Sequence, residues 1–274
     1  MMRVVILAPI HTSLYARLVT HLLAQEESIK VTGIVIRTPW DIKRIRSELK
    51  RDGVRLANKF IQKYILKEKR YKGSKKKTLR ALAKQTHLPS GSLKDLAYEH
   101  QIPLIIVRDH NHSNSQHFLE VHQPDVIAFT GGGLIRNNIL FIPHIGILNC
   151  HTGILPQFRG MDVVEWTAAE KKIMQVGFGV SLHLMDTGVD SGPILLKKTM
   201  GLSQDDTFQS IRTRLEVEMV KMMVAGIKGL RDGKLEPKPQ NLDRGKQYFV
   251  MHPRIAKFAA KNLETYLQNE IPEN

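Results

Sequence analysis

Val4-Val5-Ile6-Leu7-Ala8 is a run of five apolar residues near the start of the chain. A short continuous run of this kind is typical of a strand that is buried on both faces of a parallel sheet. Four more such runs follow, at Val31–Ile36, Leu104–Val107, Val126–Thr130 and Ile145–Cys150. Helix-like stretches separate them, at Leu14–Leu23, Ile42–Leu66, Leu93–Glu99 and Phe118–His122. This alternation predicts an α/β fold with a doubly wound, mostly parallel sheet of the Rossmann type.

The second half of the chain continues the pattern and then changes character. Two further strands are expected at Gln175–Met185 and Pro193–Thr199, joined by a polar, glycine-bearing turn. Helical spacing of apolar residues predicts a long helix over Asp205–Leu230 and a final helix over Arg254–Leu267. We therefore expect an α/β domain at residues 1–200, with a basic helical insertion at about 40–80, and a small, mainly helical C-terminal extension at 201–274.

Composition narrows the class of protein. The 274 residues include one cysteine, Cys150, which excludes an internal disulfide framework and a multi-cysteine metal cage. No apolar run is long enough to cross a bilayer, and Met1–Pro9 has the pattern of a first strand rather than of a signal peptide. A reducing, cytoplasmic setting without membrane contact is the expectation.

The formal charge of +15 is concentrated in one segment. Lys43–Arg80 contains 16 Lys or Arg and 3 Asp or Glu, which accounts for +13 of it. Such a segment is suited to a phosphorylated substrate or a nucleic acid. A solvated helix face followed by an exposed loop at Tyr71–Thr78 explains the composition equally well.

A polar pair ends the fifth predicted strand. Alternate side chains of a strand share a face, so Asn149 and His151 point the same way and Cys150 points away from them. Ligands of open α/β sheets bind at this carboxyl edge, and an amide beside an imidazole can hold the oxyanion that forms in acyl transfer. The pair by itself is also compatible with a loop-capping Asn149 and a structural His151.

Two ordered motifs extend this pair. Residues 149–160 read Asn-Cys-His-Thr-Gly-Ile-Leu-Pro-Gln-Phe-Arg-Gly, and residues 185–195 read Met-Asp-Thr-Gly-Val-Asp-Ser-Gly-Pro-Ile-Leu. The chain thereby resembles the folate-dependent formyltransferases, a family that includes methionyl-tRNA, glycinamide ribonucleotide and nucleotide-sugar N-formyltransferases. The likeness is close over about Pro124–Lys197 and looser on either side, and two motifs that must co-occur in order make it specific.

The resemblance implies roles for three residues. Asn149 would polarise the formyl oxygen of 10-formyltetrahydrofolate, and His151 would stabilise the oxyanion that develops on it. Asp190 would orient His151 and help to collect the proton that the attacking amine loses. These roles suit the chemistry, because attack by an amine creates negative charge on oxygen and positive charge on nitrogen.

The same resemblance implies where the folate lies. Its pterin ring would contact the loop Asp186–Asp190, including Gly188, and the loop that follows the fourth strand. That loop contains Gly132 and Gly133, which allow the backbone to approach a flat ring, and Ile135 and Leu140 would supply apolar walls. Its three consecutive glycines depart from the bulkier residues usual at this place. They also fit neither a dinucleotide-binding nor a P-loop signature.

The acceptor is less constrained than the reaction. We expect the acceptor to be a small, phosphorylated primary amine, and among such amines a nucleotide-linked amino sugar is preferred. The region after Met200 reads as mostly helical, whereas methionyl-tRNA formyltransferases carry a further β-barrel domain. The alternatives are a methionyl-tRNA formyltransferase-like enzyme, a formyltetrahydrofolate hydrolase, and a non-catalytic nucleic-acid-binding or folate-binding protein that acts through Lys43–Arg80. The C-terminal helices could pair two subunits in a homodimer.

Two other candidate sites are weaker. The closely spaced histidines His110, His112, His117 and His122 lack the acidic or cysteine partners of a zinc site, so no metal site is predicted. Cys150 and His151 are adjacent in a strand and face opposite ways, which is poor geometry for a thiol–imidazole dyad. We therefore expect Cys150 to belong to the core.

Overall fold

The computed structural model describes residues 1–38 and 77–272. The predicted helix at Ile42–Leu66, and the basic insertion as far as residue 76, lie outside the described residues. The described strands are β1 Met2–Ala8, β2 Ile29–Arg37, β3 Leu104–Val107, β4 Val126–Phe129, β5 Gly146–His151, β6 Phe158–Gly160, β7 Phe178–Leu184, β8 Ile194–Met200 and β9 Lys246–Tyr248. The described α-helices are α1 Leu14–Ala24, α2 Leu79–Gln85, α3 Leu93–Glu99, α4 Ser113–His122, α5 Asn137–Leu140, α6 Val163–Ala169, α7 Ile173–Val176, α8 Phe208–Arg231 and α9 Pro253–Glu270.

Seven strands form one sheet in the order β3-β2-β1-β4-β5-β7-β8. The first five are mutually parallel, while β7 runs antiparallel to β5 and β8 antiparallel to β7. The predicted mostly parallel α/β sheet with a helical C-terminal region is confirmed. The chain moves outward from β1 to β3 and then returns to β4 on the other side of β1, so a topological switch point lies between β1 and β4. Crevices at such points open at the carboxyl ends of the strands, where ligands bind.

The sheet is covered on both faces, as strand β1 illustrates. Val4, Ile6 and Ala8 join the core that packs against α1 and α8, whereas Val5 and Leu7 join a second core that packs against α4 and α5. All five are completely buried. A strand between two helical layers needs apolar side chains at every position, which is why the sequence shows a continuous run here.

Helix starts follow local capping chemistry. Ser13 accepts a hydrogen bond from the N–H of Ala16 at the start of α1. Ser92 and Asp95 form a reciprocal capping box at α3. Thr207 caps α8, so this helix begins at Phe208 rather than at the predicted Asp205. A side chain that satisfies free N–H groups of the first turn stabilises a helix end by about 1 kcal/mol.

Several other boundaries differ from the sequence expectation. The strand predicted from Gln175 begins at Phe178, because Ile173–Val176 forms the short helix α7. The helix predicted from Phe118 begins five residues earlier, at Ser113, where the side chain of His112 accepts from the N–H of Asn114. Local capping thus explains the earlier start at Ser113, whereas the helix Ile173–Val176 has no side-chain cap.

A second, two-stranded sheet is the feature that the sequence did not suggest. The stretch from His151 to Met161 contains β6, which pairs in parallel with β9 from the C-terminal region. Tyr248 of β9 stacks against Phe158 of β6 and contacts Trp166 of α6. Helix α9 in turn packs against α6. The C-terminal region is thus attached to the segment that directly follows β5.

Candidate active site

The site is built around the pairing of β5 with β7. Asn149 lies directly opposite His183, and His151 lies opposite Ser181. Strand geometry places these four side chains on one face of the sheet. Cys150, between Asn149 and His151, enters the core on the other face.

Asp190 reaches this face from the loop that joins β7 to β8. Its backbone is left-handed, with φ of +51°. Within the loop, Oδ1 of Asp186 accepts hydrogen bonds from the N–H of Gly188 at 3.0 Å and from the hydroxyl of Ser191 at 2.7 Å. A tight turn of this kind directs the carboxylate of Asp190 back toward the end of β5.

The carboxylate of Asp190 is the point at which the site converges. Its Oδ2 lies 3.3 Å from Nδ1 of His151 and accepts a 2.9 Å hydrogen bond from the N–H of Gly160. Its Oδ1 lies 3.4 Å from Nε2 of His183 and 3.4 Å from Nδ2 of Asn149. The structure therefore brings Asn149, His151 and Asp190 together, as the sequence predicted.

His151 faces an oxygen atom with each ring nitrogen. Nδ1 faces the carboxylate of Asp190, and Nε2 lies 2.8 Å from the carbonyl oxygen of Phe158. A neutral imidazole has one N–H and can donate to only one of these acceptors, whereas a protonated ring donates to both. The two acceptors can therefore satisfy both N–H groups of a protonated ring, which offsets part of the cost of placing that charge in a buried site.

Burial and charge set the protonation states of this pair. Burial lowers the pKa of His151, and the carboxylate of Asp190 acts in the opposite direction. Burial also opposes ionisation of Asp190, but the His183 and His151 rings and the Gly160 N–H outweigh it and lower the pKa of Asp190 to about 2. Near neutral pH the pair is a neutral imidazole beside a carboxylate, which is the state that can accept a proton.

His183 is a member of the cluster that the sequence analysis missed. Its Nδ1 lies 2.9 Å from the carbonyl oxygen of Leu184, and its Nε2 lies 3.2 Å from Nδ2 of Asn149. The Asn149 amide can donate to Nε2 in the tautomer that carries its proton on Nδ1. The alternation of Ser181 and His183 in a strand next to the Asp190 turn was the available signal, but pairing with β5 is visible only in the fold.

Gly160 contacts the carboxylate of Asp190 through its backbone N–H. Its φ is +96°, and a Cβ at this position would collide with the carbonyl oxygen of Tyr248 in β9. The Arg-Gly step in the first motif therefore has a physical reason. Only glycine lets β9 approach closely enough to hold the Gly160 N–H against the carboxylate.

The loop after β4 carries the predicted folate residues Gly132, Gly133 and Ile135. Both glycines have positive φ, and a Cβ at Gly132 would collide with the buried ring of His110. Ile135 is partly buried against the second core, whereas Leu140 lies within it and is 5% exposed. These positions flank the carboxyl end of β4 beside β5, and their contacts with a folate stay a prediction.

His110 explains why this loop is glycine-rich. Its Nε2 lies 3.3 Å from the carbonyl oxygen of Gly131, and its ring packs edge-on against Phe129. Desolvation by burial lowers the pKa of His110 to about 4. Of the four closely spaced histidines, His110 thus supports a loop and His112 caps a helix.

Cys150 is confirmed as a core residue. It is 4% exposed, and its thiol contacts the carbonyl oxygen of Met219 in α8 at 3.4 Å. Burial raises the pKa of the thiol to about 12. A thiol in this state is a poor nucleophile.

Within residues 1–38 and 77–272, none of the helices combines the length and the apolar character that crossing a bilayer requires. In the same part of the chain, no three His, Cys, Asp or Glu side chains are grouped closely enough to hold a metal ion.

Sequence comparison matches residues 2–227 to a family model described as "Formyl transferase". A methionyl-tRNA formyltransferase from Pelobacter propionicus is 31% identical over 152 residues, which is 54% of this chain and 46% of that protein. The chain spans about half the length of the curated relatives that it matches.

Solved structures share the fold at low sequence identity. The phosphoribosylglycinamide formyltransferase of Anaplasma phagocytophilum aligns with a TM-score of 0.56 and 16% identity, over 90% of this chain and 99% of that one. A sugar N-formyltransferase from a Shewanella species aligns with a TM-score of 0.56 and 12% identity, over 96% of this chain and 87% of that one.

Proposed function

Because the chain belongs to the formyl transferase family, we propose that it moves the formyl group of 10-formyltetrahydrofolate to a primary amine. The observation that carries the proposal is the convergence of Asn149, His151 and His183 on the carboxylate of Asp190. These groups lie at the carboxyl edge of β5, where the fold leaves a crevice for ligands.

Each group has a task in this reaction. The amine nitrogen forms a bond to the formyl carbon, and the carbonyl electron pair moves to the formyl oxygen. Asn149 stabilises this oxygen by exchanging its 3.4 Å contact with Asp190 for a hydrogen bond to the substrate. His151 would donate to the same oxyanion, or relay a proton, by exchanging one of its contacts with Asp190 or the Phe158 carbonyl.

The proton lost by the amine is received by the His151–Asp190 pair. The second ring proton completes hydrogen bonds to both Asp190 and the Phe158 carbonyl, which offset part of the burial that otherwise lowers the pKa of His151. Collapse of the tetrahedral intermediate breaks the bond to the folate nitrogen, which takes up one proton. The products are a formamide and tetrahydrofolate, so atoms and charge balance.

For the acceptor we propose a phosphorylated amine, first of all a nucleotide-linked amino sugar. Cationic residues of the described chain lie beside the site: Arg159 precedes Gly160 in β6, and Lys246 pairs with Phe158 in register. The Nε of Arg159 is buried and has no hydrogen-bond partner among the described residues. The alignment with the Shewanella sugar N-formyltransferase also extends over nearly the whole chain, including the C-terminal region.

Methionyl-tRNA is the second candidate acceptor. It is favoured by the sequence relatives, which are methionyl-tRNA formyltransferases at about one third identity. The strongly basic segment Lys43–Arg80 suits either a nucleic acid or a sugar nucleotide.

The test is incubation with 10-formyltetrahydrofolate and a panel of amines that contains nucleotide-linked amino sugars, glycinamide ribonucleotide and methionyl-tRNA. We expect tetrahydrofolate release that depends on one amine, with a product heavier by one formyl group. Release of formate without any amine would identify a hydrolase. RNA binding with steep salt dependence and no release of tetrahydrofolate would indicate that the chain is a nucleic-acid-binding protein rather than an enzyme. Asp190→Asn is the matched inactive control.

A further inference from the structure

We propose that Gln240, together with the segment 238–248, positions Asp190 and the β6 segment for the reaction. This inference rests on the proposed function and extends it to the C-terminal region, which the sequence motifs do not reach. Gln240 touches no reacting atom and acts through Asp190.

The first observation is the pair of hydrogen bonds that Gln240 donates. Its Nε2 contacts the carbonyl oxygen of Asp190 at 3.0 Å and that of Gly192 at 2.6 Å. The two protons of the amide are thus donated to the carbonyl groups of the residues that precede and follow Ser191. The left-handed backbone of Asp190, at φ of +51°, is unfavourable for a non-glycine residue and needs support from its surroundings.

The second observation is that the rest of this segment holds both sides of the site. Lys238 exchanges two 2.8 Å backbone hydrogen bonds with Ile194, at the start of β8. At the other end, β9 pairs with β6, which supplies the Phe158 carbonyl to His151 and the Gly160 N–H to Asp190. One chain segment therefore links the loop that carries Asp190 to the strand that contacts both members of the proton-accepting pair.

The third observation concerns the cost of this arrangement. The Oε1 of Gln240 is buried and has no hydrogen-bond partner among the described residues. An unsatisfied buried acceptor destabilises the folded state, because it has lost its hydrogen bonds to water. An aliphatic side chain would have no unsatisfied acceptor, but it could not donate to the carbonyl oxygens of Asp190 and Gly192. These two hydrogen bonds therefore explain why an amide occupies position 240.

The experiment replaces Gln240 by Met, which has similar length and no charge or donor. Gln268→Met, at an exposed position of α9 outside the segment 238–248, is the matched control. We expect Gln240→Met to remain folded and to lose roughly tenfold or more in turnover, because small misplacements of catalytic groups are costly. Gln240→Asn, with the donors on a shorter stem, should fall between wild type and Gln240→Met.

A second readout does not depend on the formyl acceptor. The imidazole ¹⁵N signals of His151 are titrated by NMR in wild type, Gln240→Met and Gln268→Met. If Gln240 holds the carboxylate in place, its loss withdraws negative charge from the ring, and the pKa of His151 shifts further down. Titration of His151 and turnover that both match Gln268→Met would overturn the inference, as would lost turnover with an unchanged His151 titration. A wild type without formyl transfer but with a shifted titration in Gln240→Met would refute the proposed function and leave the positioning intact.

Discussion

Asn149 and His183 are direct cross-strand partners on β5 and β7, and Nδ2 of Asn149 lies 3.2 Å from Nε2 of His183. Both atoms also lie 3.4 Å from Oδ1 of Asp190. One carboxylate oxygen thus connects an amide on a parallel strand with an imidazole on an antiparallel strand. The other carboxylate oxygen, Oδ2, lies next to Nδ1 of His151 and accepts a hydrogen bond from the backbone of β6.

Asp190→Asn tests the centre of this cluster. The substitution keeps the shape but removes the charge that stabilises a protonated His151, so turnover should fall by roughly two to four orders of magnitude. Steady-state assays with 10-formyltetrahydrofolate measure the effect, and circular dichroism verifies folding. Asp232→Asn, at the exposed end of α8, is the control, and near-normal turnover in Asp190→Asn would remove the carboxylate from the mechanism.

His183→Gln tests the residue that only the structure revealed. Loss of the ring removes the acceptor of the Asn149 amide and one neighbour of Asp190, so both groups become less well oriented. We expect turnover to fall by roughly ten- to a hundredfold, with a smaller change in substrate binding. The exposed His117→Gln should leave both unchanged. Equal turnover in the two variants would show that His183 only fills space.

Arg159→Met tests the phosphorylated acceptor. Removal of one cation next to Gly160 should raise the Michaelis constant of a phosphorylated acceptor roughly tenfold, since charge-assisted hydrogen bonds contribute about 1.5–3 kcal/mol. The folate constant should change less. The Michaelis constant of the wild type for the acceptor should also rise with salt, because dissolved ions screen exposed charges that are more than about 8 Å apart at physiological ionic strength. Parallel shifts in both constants would assign Arg159 to the folate instead.

Cys150 should be inert in the folded protein. Because the thiol is buried and burial raises its pKa to about 12, disulfide reagents should react only after denaturant is added. Cys150→Ala should retain turnover, whereas Cys150→Ser should lower the free energy of unfolding by roughly 1–3 kcal/mol through a buried hydroxyl. Rapid labelling of the native protein with loss of activity would contradict the core assignment.

The free energy of unfolding should decrease with acid because of His110. Burial lowers the pKa of this ring from 6.5 to about 4, so the folded state binds the proton less readily than the unfolded state. The contribution of His110 to the free energy of unfolding is fully present above pH 6.5. It falls by roughly 3 kcal/mol as the pH decreases toward 4. Urea unfolding at several pH values measures this slope, which His110→Gln should flatten and His117→Gln should not. His151 acts in the same direction, so some slope remains.

The sequence by itself determined the fold class and the chemistry-bearing residues of the first motif. Val4–Ala8 and the runs that follow can only be buried on both faces of a sheet, since each position along β1 meets a helical layer. Likewise, the period of two in a strand placed Asn149 and His151 on one face and Cys150 on the other. These relations are local, so they can be read from spacing alone.

Tertiary structure decided which distant groups complete the site. His183 faces Asn149 because β7 pairs antiparallel with β5, and the Gly160 N–H reaches Asp190 because β9 pairs with β6. Gln240 meets the Asp190 loop across about fifty residues of chain, of which α8 is the largest part. Such contacts depend on the register and order of the strands. The packing of the whole sheet determines both, and the local spacing of apolar residues in the sequence does not reveal them.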